Sequence, residues 1–189
     1  MKNSIALIAT VLVCLGMCTG VSAAPITITP DSGVLDDTRY EGAEFASTRE
    51  LRGIVGDIVG DLPELWKAEV GDASDPSTTY EGPLAGNYSA TFSNSAGDPS
   101  DVLIEYLGGA VVGPEAWLVI KDGNNAPYWY LFNLTALGWD GESDITVEGF
   151  WPGEGAISHV ALVPEPGTLA LLGLGLIGFA VARRGLATH

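Results

Sequence analysis

All 24 aspartates and glutamates of the chain fall between Asp31 and Glu165, which leaves an apolar run at each end. Runs with almost no charge cannot share the surface of an acidic fold, so the sequence divides into an N-terminal apolar segment, an acidic body and a C-terminal apolar segment. With both ends set aside, about 140 residues remain for a single domain, enough to bury a core without metals or cross-links. The same division explains how a net charge of −16 coexists with a mean hydropathy of +0.26.

Between Ala24 and Val163, 23 acids face only Arg39, Arg49, Arg52, Lys67 and Lys121, a balance of −18. Such a surface repels a phosphate backbone, so nucleic acid is not expected as a partner. Cys14 and Cys18 both lie in the N-terminal run. A mature body without cysteine has no disulfide, no thiolate zinc site and no thiol nucleophile.

Lys2, the apolar stretch from Ile5 to Met17 and the small residues Val21-Ser22-Ala23-Ala24 form the three parts of a secretory signal peptide. Cleavage is expected after Ala23, because a cut after Ala24 would leave Pro25 beside the scissile bond. Cys14 follows Val13 and Cys18 follows Met17, neither a small residue, which argues against lipid attachment. The competing reading, an uncleaved anchor, is disfavoured by the shortness of the apolar run.

At the other end, Val163-Pro164-Glu165-Pro166-Gly167 precedes an uncharged stretch from Thr168 to Ala182, then Arg183-Arg184. The prolines delay any helix to about Gly167, and fifteen helical residues rise only about 22 Å, short of a hydrocarbon core of about 30 Å. Arginines that snorkel, or a thinned bilayer, make a span feasible. The arginine pair puts the tail in the cytoplasm and the acidic body outside.

The order of Val-Pro-Glu-Pro, short glycine-bearing apolar run and Arg-Arg resembles the PEP-CTERM sorting signal of Gram-negative bacteria, also described as an ice-binding-protein C-terminal domain. The likeness covers Val163 to about Gly185. It implies recognition by an exosortase, a membrane-embedded cysteine protease or transpeptidase, cleavage near Pro164-Glu165-Pro166, and delivery to the cell surface or extracellular polysaccharide matrix. Export machinery, the exosortase and the inner membrane are the partners it implies. Gly173-Leu174-Gly175-Leu176-Ile177-Gly178 spells a dinucleotide fingerprint, but no strand precedes it and no room follows for a βαβ unit. Close helix packing is the simpler reason for those glycines.

Within the body, Ala24 to Tyr40 reads as an irregular or short-strand lead-in. Ser47-Thr48-Arg49-Glu50 is a capping box, followed by Leu51, Ile54, Val55, Ile58, Val59 and Leu62 on one helical face. From Glu64 the period becomes two. Strands are expected at Leu65 to Val70, Tyr88 to Ser93, Val102 to Leu107, Ala116 to Lys121, Tyr128 to Leu134, Asp144 to Phe150 and Ile157 to Val163. The expected fold is mainly β, a single jelly-roll-like β-sandwich with one covering helix, flanked by a signal helix and a C-terminal transmembrane helix. The expected segments are 1–23 (signal), 24–162 (ectodomain), 163–185 (sorting and anchor) and 186–189 (cytoplasmic tail). The stretch from Trp117 through Lys121-Asp122-Gly123-Asn124-Asn125 to Trp151 and His159 also resembles the body domain of many proteins carrying this tag, a likeness that implies no activity.

Aromatic residues concentrate between Trp117 and Trp151, where either packing or ring stacking on a sugar accounts for them. Trp139 and Trp151, each beside turn residues, are expected to be the exposed rings. Asp122 to Asn125 and Asp140 to Asp144 gather oxygens that would suit calcium, and equally suit ordinary turns. His159 is the body's only histidine, no Gly-x-Ser-x-Gly elbow occurs, and no metal or cofactor is expected. The leading reading is an exported, transiently anchored, non-catalytic surface or matrix protein. The alternative is a carbohydrate-binding module of the exopolysaccharide matrix, using Trp139 or Trp151.

Overall fold

Alternation of large and hydroxylated side chains from Tyr88 to Ser93 becomes a strand whose buried positions recur every second residue. In the computed structural model, which describes residues 24–60, 63–71, 77–94, 98–113, 115–122, 124–153 and 155–164, ten strands and one helix form the body. They are β1 (Ile26–Ile28), β2 (Arg39–Gly42), α1 (Thr48–Val59), β3 (Trp66–Glu69), β4 (Thr79–Glu81), β5 (Tyr88–Ser93), β6 (Asp101–Tyr106), β7 (Ala116–Asp122), β8 (Trp129–Asn133), β9 (Ile145–Val147) and β10 (Ile157–Pro164). The expected signal and membrane helices lie outside the described residues. Among the described residues no helix is long and apolar enough to cross a membrane.

The strands form two sheets, ordered β1-β9-β6-β5 and β2-β8-β7-β10-β3-β4. Neighbours are antiparallel except β1 and β9. The sheets pack face to face: Ile28, Tyr88, Ile104 and Ile145 of the first meet Trp66, Leu118, Phe132 and Leu162 of the second in one buried cluster. Helix α1 covers the opposite face of the six-stranded sheet, where Leu51, Val55 and Val59 pack with Trp117, Val119, Leu131, Ala161 and Val163. Burial on both faces explains why β7, β8 and β10 read as near-continuous apolar runs.

The capping box forms as the sequence predicts. The Ser47 amide donates to the Glu50 carboxylate at 2.8 Å, and the Glu50 amide donates to the Ser47 hydroxyl at 3.3 Å. These bonds hold the Glu50 carboxyl below its usual range. The helix ends at Val59, where Gly60 turns to φ 91° while its N–H still donates to the Gly56 carbonyl; Leu62, expected on the same face, lies outside the described residues.

β4 lies outside the expected strands, while β1 and the start of β2 fall within the irregular or short-strand lead-in expected from Ala24 to Tyr40. β1, β2 and β4 are only three or four residues long, too short for a period-two signal. The strand expected from Asp144 to Phe150 shortens to Ile145–Val147, since Gly149 at φ 73° and Trp151 at φ 50° bend the chain out of extended geometry. Gly42 has a steric reason to be glycine: a Cβ there would lie 2.0 Å from the indole nitrogen of Trp129.

Candidate functional site

Strand β10 is interior to its sheet, with β7 on one side and β3 on the other. Its last residues remain paired, Leu162 on both sides and Val163 and Pro164 with β7. Leu162 pairs with Leu118 and with Trp66, Val163 with Trp117, and Pro164 with Ala116, the first residue of β7. The Leu162 carbonyl accepts the Leu65 amide at 3.0 Å. Leu162 is 0% exposed in the inter-sheet core, and Val163 is 2% exposed beneath α1. The sheet therefore runs two residues beyond the boundary at 162 expected from sequence. Glu165, Pro166, Gly167, Arg183 and Arg184, like Ala23, lie outside the described residues.

The family model of the PEP-CTERM protein-sorting motif matches residues 162–184. The chain carries a PEP-CTERM sorting motif. Its first three residues are thus also the last three of a core strand. No curated protein and no solved structure matches the chain. The motif marks an exported protein that an exosortase processes.

Trp139 and Trp151 are not the exposed rings expected from their turn settings. Trp139 is 6% exposed, its ring beside Tyr88 and its indole N–H donating to the Ser143 carbonyl at 2.7 Å. Trp151 is 7% exposed, packed on Tyr130 and Phe150, with its N–H on the Pro127 carbonyl at 2.7 Å. Positive φ at Gly138 and at Trp151 itself folds each turn inward, so the rings complete the inter-sheet core.

Two open grooves nevertheless flank the turn from Trp151 to Gly153. One, of about 680 Å³, is lined by Pro30, Asp31, Pro127, Tyr130 and Trp151. Arg39 fixes its rim by donating to the Pro30 carbonyl and lying 3.7 Å from the Asp31 carboxylate. The other, of about 470 Å³, is lined by Asn94, Asp98 and Ser100 with Trp151 and Pro152. Trp151 lines both grooves with only 7% of its surface exposed.

The turns considered for calcium spend their oxygens on the backbone. Asp122 accepts the Asn124 amide at 2.8 Å with one oxygen and the Ala156 amide at 3.2 Å with the other. One oxygen of Asp140 accepts the amides of Glu142 and Ser143 at 3.0 and 2.8 Å. Burial opposes the Asp140 charge, yet its bonds to Ser143 and Glu142 hold the carboxyl below its ordinary range. Among the described residues no group of three or more histidine, cysteine or acidic side chains gathers as a metal would require.

One polar cluster escaped the sequence reading. On the α1 side of the six-stranded sheet, His159 of β10 lies opposite Lys121 of β7 and Glu69 of β3. Lys67, one position along on the same face of β3, has its ammonium 2.9 Å from Glu69 and 3.7 Å from Glu81. Lys121 is 7% exposed, its ammonium 5.4 Å from the centre of the Phe45 ring. Burial lowers the pKa of Lys121, against the pull of Asp122 and Glu69. His159 is 2% exposed with no partner for Nε2, and burial, reinforced by Lys67 and Lys121, pushes its pKa down to about 3. The only sequence signal was the polar residues at odd positions of β3, β7 and β10. That these strands are neighbours is a matter of topology.

Proposed function

We propose that this chain is a non-catalytic surface or matrix protein of a Gram-negative bacterium. It is exported by its signal peptide, held at the inner membrane by its C-terminal segment and released or transferred by an exosortase. The sorting motif at residues 162–184 is the observation that carries this reading. The character of the body supports its non-catalytic half. His159, the only histidine among the described residues, is sealed in a sheet face with its pKa near 3, unfit to exchange protons at neutral pH. Replacing Glu165 and Pro166 by alanine leaves the anchor run intact and should retain the uncleaved protein in the inner membrane. Unchanged processing and location would sink the proposal.

A second reading, a carbohydrate-binding module of the extracellular polysaccharide, is favoured by the two grooves beside Trp151. Aromatic side chains, prolines and the Asp31 and Asp98 carboxylates suit a neutral polyhydroxylated chain better than an anionic one. Tryptophan fluorescence during titration with the host's own polysaccharide tests it. A shift that disappears in D31N supports binding in the larger groove, and a flat titration together with an empty glycan array rejects it.

A further inference from the structure

The sorting motif begins inside the fold, and that overlap constrains where the chain can be cut. A peptidase binds its substrate extended, with backbone N–H and C=O groups free for its own cleft. A group already paired in a sheet is not available to it. Leu162 lies in register between β7 and β3, Val163 is paired with Trp117 of β7, and their side chains fill two different cores. Freeing them breaks the end pairings of an interior strand and moves two buried apolar side chains into water. Pro164 is different. It is half-buried where Val163 is buried, it has no N–H to pair, and it is the last described residue of the strand.

We propose that the folded body itself sets the N-terminal limit of processing. The cut falls C-terminal to Pro164, and the mature protein keeps Leu162, Val163 and Pro164 as the end of its central strand. This rests on the exosortase reading. The peptide bond breaks with the body's carbonyl passing to water or to an acceptor amine, and the membrane segment leaves as a free amine. Only Glu165, Pro166 and Gly167 separate Pro164 from the uncharged run beginning at Thr168. Three residues span at most about 11 Å. The exosortase must therefore reach a bond lying between a folded, strongly acidic domain and the membrane surface, and it acts on the chain with the sheet already closed.

The test reads the C-terminus in two ways. The full chain is expressed in an exosortase-bearing host, and the mature protein's C-terminal residue is identified by mass spectrometry. Separately, the detergent-solubilised full chain is digested with proteinase K, which has no exosortase specificity, and the C-terminal end of the resistant body is identified. Both ends are expected at Pro164 or within the next three residues. An exosortase product or a resistant body ending before Pro164 overturns the inference. A chain that keeps Arg183-Arg184 in the host while its resistant body ends at Pro164 or just beyond overturns the sorting reading but leaves the protected limit standing.

Discussion

The indole N–H of Trp66 donates to the main-chain carbonyl of Tyr88 at 3.1 Å, joining the six-stranded sheet to the four-stranded one through the middle of their shared core. Tyr88 extends the connection: its hydroxyl donates to the Gly141 carbonyl at 2.8 Å and accepts the Val112 amide at 3.1 Å. Burial, partly offset by the Val112 bond, pushes the Tyr88 phenol up to about 12. The two residues tie both sheets and two loops to one polar thread inside an apolar core.

Trp66→Phe keeps a ring but leaves the Tyr88 carbonyl without its donor. A buried acceptor deprived of its partner costs about 1–3 kcal/mol. Urea denaturation should show a lower midpoint with an unchanged slope, and the melting temperature should fall by ~2–4 °C for each kcal/mol lost. An unchanged midpoint would mean that water replaces the indole without cost.

His159 makes stability depend on pH. Its folded pKa, about 3, lies below the unfolded value near 6.5, so the unfolded chain binds the proton more readily. Its contribution is complete above pH 6.5 and drains away as the pH falls toward 3. Lys67 and Lys121 oppose a further positive charge at this site, while Glu69 and Glu81 face the same cluster. Between pH 7 and pH 4 the wild type should lose about 3 kcal/mol more than His159→Gln. Denaturation curves of the two proteins at both pH values measure the difference, and parallel losses would refute the assignment.

The legible parts of this molecule are the local ones. Ser47 and Glu50 stand three residues apart and announce the start of α1, and the Pro164-Glu165-Pro166 element announces the sorting motif in one linear stretch. The alternation from Tyr88 to Ser93 reveals a strand because one of its faces stays open. What depends on topology stayed hidden. Lys67, Lys121 and His159 are far apart in the chain and meet only because β10 lies between β7 and β3. Trp139 and Trp151 read as exposed because their neighbours are turn residues, whereas positive backbone angles turn both rings into the core. The sorting motif was legible as an address, but its share in the central strand needed the sheet register.

Two glycines should respond to alanine with opposite signs. At Gly42 a new Cβ would stand 2.0 Å from Nε1 and 2.1 Å from Cε2 of Trp129, so the indole would have to leave its packed position. Overpacking of this kind costs ~3 kcal/mol or more. At Gly53, inside α1, nothing lies within 4 Å of the added atom, and the helix gains about 0.5–1 kcal/mol from the lost backbone freedom of the unfolded chain. Melting temperatures of the two single variants decide it. A G53A protein less stable than wild type would contradict the open surroundings of that position.

Calcium should leave the fold indifferent. The carboxylates that would bind it are already engaged: both oxygens of Asp122 and one of Asp140 accept main-chain amides that shape their own turns. A cation would have to displace those bonds before it gained ligands. Melting curves in millimolar calcium and in chelator should therefore superimpose. Asp140→Ala, by contrast, frees the Glu142 and Ser143 amides and loosens the turn whose Ser143 carbonyl holds the Trp139 indole. Near-ultraviolet circular dichroism should report that loosening as a change in the tryptophan signal without added metal. A calcium-dependent rise in the wild-type melting temperature, abolished in D140A, would show instead that the turn is an ion site.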